Sequence, residues 1–161
     1  ADPLFSIPAG TYGSAVIQSG SNQIVVIVNT TKYATGVANA YNAFPDGAGS
    51  KRVVAPLVYS RYNPSDTNGW VTGIQVQNLG SSADTVTMVY KPGDGTGPYT
   101  KSQAVAASSS VTFWLADPLL GIPAGTVGSA EFTSTSQNII AVVNTTKYAS
   151  SVATTYTGTN E

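Results

Sequence analysis

The groups able to do acid–base chemistry in this chain are eight carboxylates: Asp2, Asp46, Asp66, Asp84, Asp94, Asp117, Glu131 and Glu161. Glycoside hydrolysis would need two of them paired across a scissile bond, and no spacing in the sequence pairs them. Most stand beside Gly, Pro, Asn or Ser, where an Asp side chain serves a turn by bonding nearby backbone. The chain has no His and no Cys. The commonest general base, the commonest metal ligand, thiolate chemistry and disulfides are therefore missing. Ser and Thr are abundant, but no base stands ready to activate one as a nucleophile. No G-x-S-x-G, P-loop or G-x-G-x-x-G string occurs. Calcium needs several converging oxygens, whereas the loops NPSDTNG (63–69) and KPGDGTG (91–97) bring one Asp each. The sequence reads as non-enzymatic, without cofactor or metal.

Two other chemistries remain. Asn-Thr-Thr occurs at Asn29 and again at Asn144, and each fits the N-x-S/T glycosylation acceptor pattern. The competing reading is an Asn that ends a strand, followed by Thr residues suited to an edge. O-glycosylation of the Ser/Thr-rich surface is equally open. Nine Tyr and two Trp offer a platform on which sugar rings stack; the same residues serve core and inter-module packing. Trp70 opens a strand beside a turn, and Trp114, in TFWL, reads as internal.

Charged residues make up 9% of the 161 residues, with a formal net charge of −1. An ordinary soluble domain carries roughly 25%, so this surface is polar without being ionic. A nucleic-acid partner would need a basic stripe, which seven scattered Lys and Arg do not form. No apolar run reaches the about 18 residues of a membrane span. The sequence shows neither an initiator Met nor a signal-peptide apolar region, and so reads as a processed or partial product. Low charge and no Cys point to an extracellular or cell-surface location.

The elements that must position these groups are announced by a repeat. With Ala1 set on Ala116, an offset of 115, residues 1–41 match residues 116–156 at 25 of 41 positions without a gap. Self-similarity of this quality marks a duplicated structural unit, and both copies are expected to share one local structure. Substitutions show the facing. Ala15 matches Ala130 and Ile17 matches Phe132, while between them Val16 is replaced by Glu131. A position that accepts Glu faces water and its neighbours face a core, which is the period of a half-buried strand. QIVVIVNTT and NIIAVVNTT are apolar on both faces and read as a covered central strand. ATGVANAY and its counterpart form a third strand, giving a duplicated three-strand segment, 1–44 and 116–159. I-P-A-G before the first strand is a turn.

Between the copies lies strand after strand. RVVAPLVYSRY (52–62) carries Pro56, a sign of an edge or a bulge. WVTGIQVQNLG (70–80) and DTVTMVYKP (84–92) alternate, GDGTGP makes a hairpin loop, and YTKSQAVA and SSVTFWL follow. No segment has a helical period. Strands recurring every 8 to 12 residues mean an all-β sandwich or barrel.

The string WVTGIQVQNLGSSADTVTMVY…AVAASSSVTFWL resembles the immunoglobulin-like repeat modules of bacterial secreted and surface proteins, including the CARDB-like class, over roughly residues 53–148. The resemblance implies an immunoglobulin-like antiparallel β-sandwich and a tandem habit, and no functional residues. It implies the strand order A (52–62), B (70–80), C (84–91), C′ or D, E, then F (GSAEFTS) and G (NIIAVVNTT). Residues 51–161 then form a complete sandwich, and residues 1–46 a half-repeat of closing strands that completes, or is completed by, a neighbouring unit. The chain is a slice of a tandem array, a filament subunit working by strand addition, or a pseudo-symmetric pair of copies. The expected partners are copies of itself or adjacent repeats of the same chain, with glycans as further candidates. The expected function is a structural unit of an extracellular filament, sheath or surface array; the alternative is a carbohydrate- or cell-surface-binding adhesion module.

Overall fold

The computed structural model of the chain describes residues 5–32, 34, 36–63, 69–147 and 150–161. Asp2 and Asp66, the paired Tyr33 and Tyr148, and most of the 63–69 loop lie outside these residues.

Alternation with period two decides the elements. In β4 (Trp70–Asn78), Thr72, Ile74, Val76 and Asn78 are buried, while Gly73, Gln75 and Gln77 are half-exposed. In β5 (Asp84–Pro92), Val86, Met88 and Tyr90 are buried around half-exposed Thr87 and Val89. Successive side chains of a strand point to opposite faces, so each strand offers the core one face. The remaining strands are β1 (Ile27–Lys32), β2 (Val37–Asn42), β3 (Arg52–Ser60), β6 (Tyr99–Val105), β7 (Ser110–Trp114), β8 (Thr126–Ser134), β9 (Ile139–Lys147), β10 (Val152–Thr157) and β11 (Thr159–Asn160). A short 3-10 turn, Pro118–Leu120, is capped by Asp117.

The strands form a five-stranded antiparallel sheet, β11-β3-β8-β5-β6, a four-stranded one, β10-β9-β4-β7, and a separate hairpin, β1-β2. The larger sheets bury one continuous core, with Val53, Val58, Ile74, Met88, Phe113, Phe132, Ile139 and Val143 among its fully buried members. Phe113 of β7 meets Phe132 of β8 edge-on with ring centroids 5.3 Å apart, locking one sheet to the other. Buried hydroxyls are paired: Thr72 with Thr145 at 2.8 Å, and Tyr90 donating to Thr126 at 3.0 Å. The fold is an all-β antiparallel sandwich.

The structure corrects the expected strand order in one respect. In an immunoglobulin domain the first strand lies beside B and the last beside F. Here β3 pairs with β8 and β9 with β4, so the first and last strands have exchanged sheets. The turn between β8 and β9 crosses the sandwich, and Asp84 holds it there. Its buried carboxylate accepts hydrogen bonds from the hydroxyls of Ser134 and Thr135 and from the N–H groups of Ser136 (2.9 Å) and Gln137 (2.6 Å). Pro56 marks a bulge, with a register shift between Ala55 and Val58. Leu57, displaced from the ladder, is satisfied by Tyr156: its N–H donates to the phenol oxygen at 3.2 Å and its carbonyl accepts the phenol proton at 2.5 Å.

The expectation that both copies share one local structure holds for the hairpin and fails for the strand before it. β1-β2 and β9-β10 pair in equivalent register: Val28 opposite Tyr41 matches Val143 opposite Tyr156, and Lys32 opposite Val37 matches Lys147 opposite Val152. Even the closing bond recurs, Ala43 N–H to Val26 O and Gly158 N–H to Ala141 O, both 2.9 Å. Residues 11–19, however, form no strand, although their counterparts make up the whole of β8. A hairpin supplies its own partner across the turn. β8 is held instead between β3 and β5, and residues 11–19 have no such neighbours. The copy-1 hairpin rests beside the copy-2 hairpin, β2 along β10. The Asn39 amide, oriented to satisfy its neighbours, donates to Ala153 O at 3.0 Å.

Two outcomes check this packing. Ile139→Asp or Val143→Asp puts an unpaired charge between the sheets and should abolish the cooperative urea transition. Glu131→Val removes only the partly exposed ion pairs with Arg52 and Lys91 and should cost no more than about 1 kcal/mol in the same measurement. Asp84 gives a pH signature. Burial by itself would raise its pKa, but the bonds from Ser134, Thr135, Gln137 and Ser136 outweigh burial and hold it well below the usual carboxylate value. A depressed folded pKa contributes stability above the unfolded value, about 3.9, and that stability is lost as pH falls below it. Urea midpoints of the wild type should therefore drop on acidification below about pH 4, and Asp84→Asn should flatten that drop.

Candidate functional site

Five of the described carboxylates are already committed. Asp94 accepts from the Thr96 N–H (2.9 Å) and hydroxyl (2.7 Å) in its own hairpin loop, which lowers its pKa. Asp117 is bound by Lys101 at 2.5 Å and by the Leu119 N–H at 3.0 Å, and the lysine bond foremost holds its pKa down. Arg52 grips Glu131 through two bonds, 2.9 and 3.1 Å, with Lys91 at 3.5 Å, and the Arg52 bond is the chief reason the Glu131 pKa is lowered. Glu161 pairs with the same guanidinium. Asp84 holds its turn, and Asp46 is exposed in the loop before β3. Asp94 and Asp117 serve their own turns, as their flanking residues suggested, whereas Glu131 and Glu161 are cation partners and Asp84 ties a distant turn.

The two acceptor asparagines occupy equivalent strand positions in unlike surroundings. Asn29 is exposed on β1 opposite Ala40. Asn144 is half-buried in the middle of the four-stranded sheet, where its side-chain oxygen accepts from the Thr155 hydroxyl at 2.8 Å. Trp114 corrects an expectation. The TFWL context suggests an internal position, but alternation along β7 turns Phe113 inward and leaves Trp114 45% exposed. It stands on the outer face of the sheet beside a groove of about 330 Å³ lined by Tyr12, Gly73, Gln75, Thr112 and Asn144 among others. Among the described residues, no charged side chain lines it.

The most conspicuous surface is copy 1 itself. Ile17 is 60% exposed where its counterpart Phe132 is fully buried, and Ile24 is 48% exposed where Ile139 is fully buried. Tyr12, Val16, Val25 and Ile27 are exposed with them. The preceding turn is nevertheless formed as in copy 2. Gly10 and Gly125 share a positive φ (82° and 86°), and the Thr11 and Thr126 hydroxyls donate to Pro8 O and Pro123 O at 2.8 and 3.2 Å.

Gly13 and its counterpart stand in unlike surroundings. Its counterpart Gly128 lies so close to β5 that a Cβ there would stand 2.1 Å from the Lys91 carbonyl oxygen. Only glycine allows that approach. At Gly13 nothing lies within 4 Å, so its present surroundings give no reason for glycine. Nothing in the aligned residues themselves shows this, because a Cβ clash exists only once β5 is in place.

No family model and no curated protein matches the chain. Among solved structures, the crystal structure of Thermotoga maritima 1070 is similar, with a TM-score of 0.57 and 15% identity, covering 70% of this chain and 96% of that one. At that identity the likeness shows the sandwich fold alone.

The glycine pair gives a direct check. Gly128→Ala should lower the stability of the isolated chain by about 1–3 kcal/mol in urea unfolding, as overpacking does. Gly13→Ala should leave it unchanged.

Proposed function

We propose that this chain is a structural repeat unit of an extracellular filament, sheath or surface array, joined head to tail. Its N-terminal half-repeat supplies closing strands to the frame of a neighbouring sandwich, the frame being the equivalent of β3 to β7. The observation that carries this reading is the contrast between the copies. Side chains that build the core in copy 2 are uncovered in copy 1, yet copy 1 keeps the turn geometry and the glycine that β8 requires. Such strands gain ladder bonds and apolar burial by strand addition. An added strand is a heterologous contact, and heterologous contacts that do not close make fibres. The neighbour is another copy or an adjacent repeat of the same chain. A non-catalytic role fits the lack of His and Cys and the committed carboxylates. Location outside the cell fits the sparse charge and the two Asn-Thr-Thr acceptors, of which Asn29 is the more open.

The groove beside Trp114 favours a second reading, adhesion through a neutral sugar. An exposed indole offers a stacking face, and the uncharged amides and hydroxyls around it suit sugar hydroxyls. Tryptophan fluorescence across a panel of polysaccharides, compared with Trp114→Ala, tests this reading; no response to any glycan would rule it out.

Electron microscopy of material purified from its native source tests the main reading. Fibres or strings of beads one domain wide are expected, and removal of residues 1–44 should yield a folded, dispersed sandwich that no longer joins them. Dispersed single domains from the untruncated native material would overturn it.

A further inference from the structure

Which frame copy 1 closes can be read from how it differs from copy 2. Positions dictated by backbone geometry are kept: Gly13 for Gly128, Ala15 for Ala130, Ser19 for Ser134 and Tyr41 for Tyr156. Positions that meet the side chains of this chain's own frame are kept in part, Thr30 for Thr145, which bonds the Thr72 hydroxyl, among them, and changed at others. A Cβ on Gly158 would lie 2.6 Å from Val53 Cγ1 and 3.3 Å from the Ala141 Cβ. Copy 1 has Ala43 in place of Gly158 and Val26 in place of Ala141. Ala43 would set a methyl group against fully buried Val53, and Val26 would enlarge the fully buried Ala141 side chain beside that methyl, and a close-packed core resists such overfilling. Ile17, in place of Phe132, would underfill the site against the Phe113 ring. Val16, in place of Glu131, would take the carboxylate away from Arg52 and Lys91.

Connectivity does not keep copy 1 out of this frame. By the repeat, Asp46 would stand where Glu161 stands, its N–H facing Arg52 O as the Glu161 N–H does at 3.1 Å. Residues 47–51 would then close a five-residue hairpin loop into β3, a common length. Side-chain fit alone separates the two copies.

We infer that copy 1 is shaped for a sibling frame, a sandwich of the same backbone but different core side chains. That frame carries a residue smaller than valine at the place of Val53, a bulkier apolar side chain at the place of Phe113, and no cation at the place of Lys91. The inference rests on the strand-closing reading and names the partner. The mismatch is selectivity by exclusion: each closing half fits one frame, so adjoining modules do not trade halves.

Peptide-resolved hydrogen exchange and sedimentation on the full chain test it. The wild type is compared with a variant carrying Val16→Glu, Ile17→Phe, Val26→Ala and Ala43→Gly, both refolded at high concentration. All four changes lie outside the sandwich, so its folding does not depend on them. In the wild type, amides of 11–26 should exchange at least about tenfold faster than those of 126–141, as unprotected segments do. In the variant both segments should show two populations, protected and open, because either copy now fits the frame; sedimentation separates closure within a chain from closure between chains. Two populations in the wild type would overturn the sibling-frame inference and leave the strand-closing reading standing. A variant with 11–26 open in every molecule would overturn both, since a copy refitted at all four places would still fail to close a frame.

Discussion

A β-strand exists only where its backbone finds partners, because each unpaired N–H and C=O removed from water costs free energy. This chain shows the rule twice over with nearly one sequence. Residues 126–134 are a strand because β3 and β5 flank them. Residues 11–19, with the same turn before them and the same alternation, form no strand. Propensity and pattern are alike in the two, so the neighbours make the difference. The hairpin that follows carries its own partner and forms in both copies in one register.

The core follows from that ladder. Once β8 is seated, Phe132 reaches Phe113 across the sandwich and Gly128 lets β5 approach. The crossing of the chain from β8 to β9 then requires a turn buried at the end of the sandwich. Asp84 stabilises it by gathering two hydroxyls and two backbone N–H groups of that turn. Tyr156 does the same for the Pro56 bulge from the opposite sheet. Both devices satisfy backbone that would otherwise be left without a partner, and both tie the closing half to the frame by polar contacts as well as by packing.

Function on this reading is the same physics left unfinished. Copy 1 has the apolar face, the turn and the glycine of a closing half, but its apolar side chains face solvent. Exposed apolar strands of this kind are what proteins otherwise avoid, because they invite pairing with other chains. Keeping them is consistent with a chain whose role is to be joined. The Val26 and Ala43 side chains then restrict which frame can do the joining.

Much of this was legible in the residues. Alternation located β4, β5 and β8 and the inward faces of Ala130 and Phe132. Pro56 announced its bulge, and the ungapped repeat announced equivalent hairpins. These are local signals, set by side-chain period and backbone chemistry within a few residues. What the sequence left open depended on contacts between distant segments. Nothing near Trp114 told that its ring points outward, nothing near Asp84 told that it would hold a turn 50 residues on, and no pattern told that β3 and β9 exchange sheets. Above all, two nearly identical stretches had to be given one fate on paper. Only the tertiary structure separated them, because a strand's free energy resides in its partners, and those lie elsewhere in the chain.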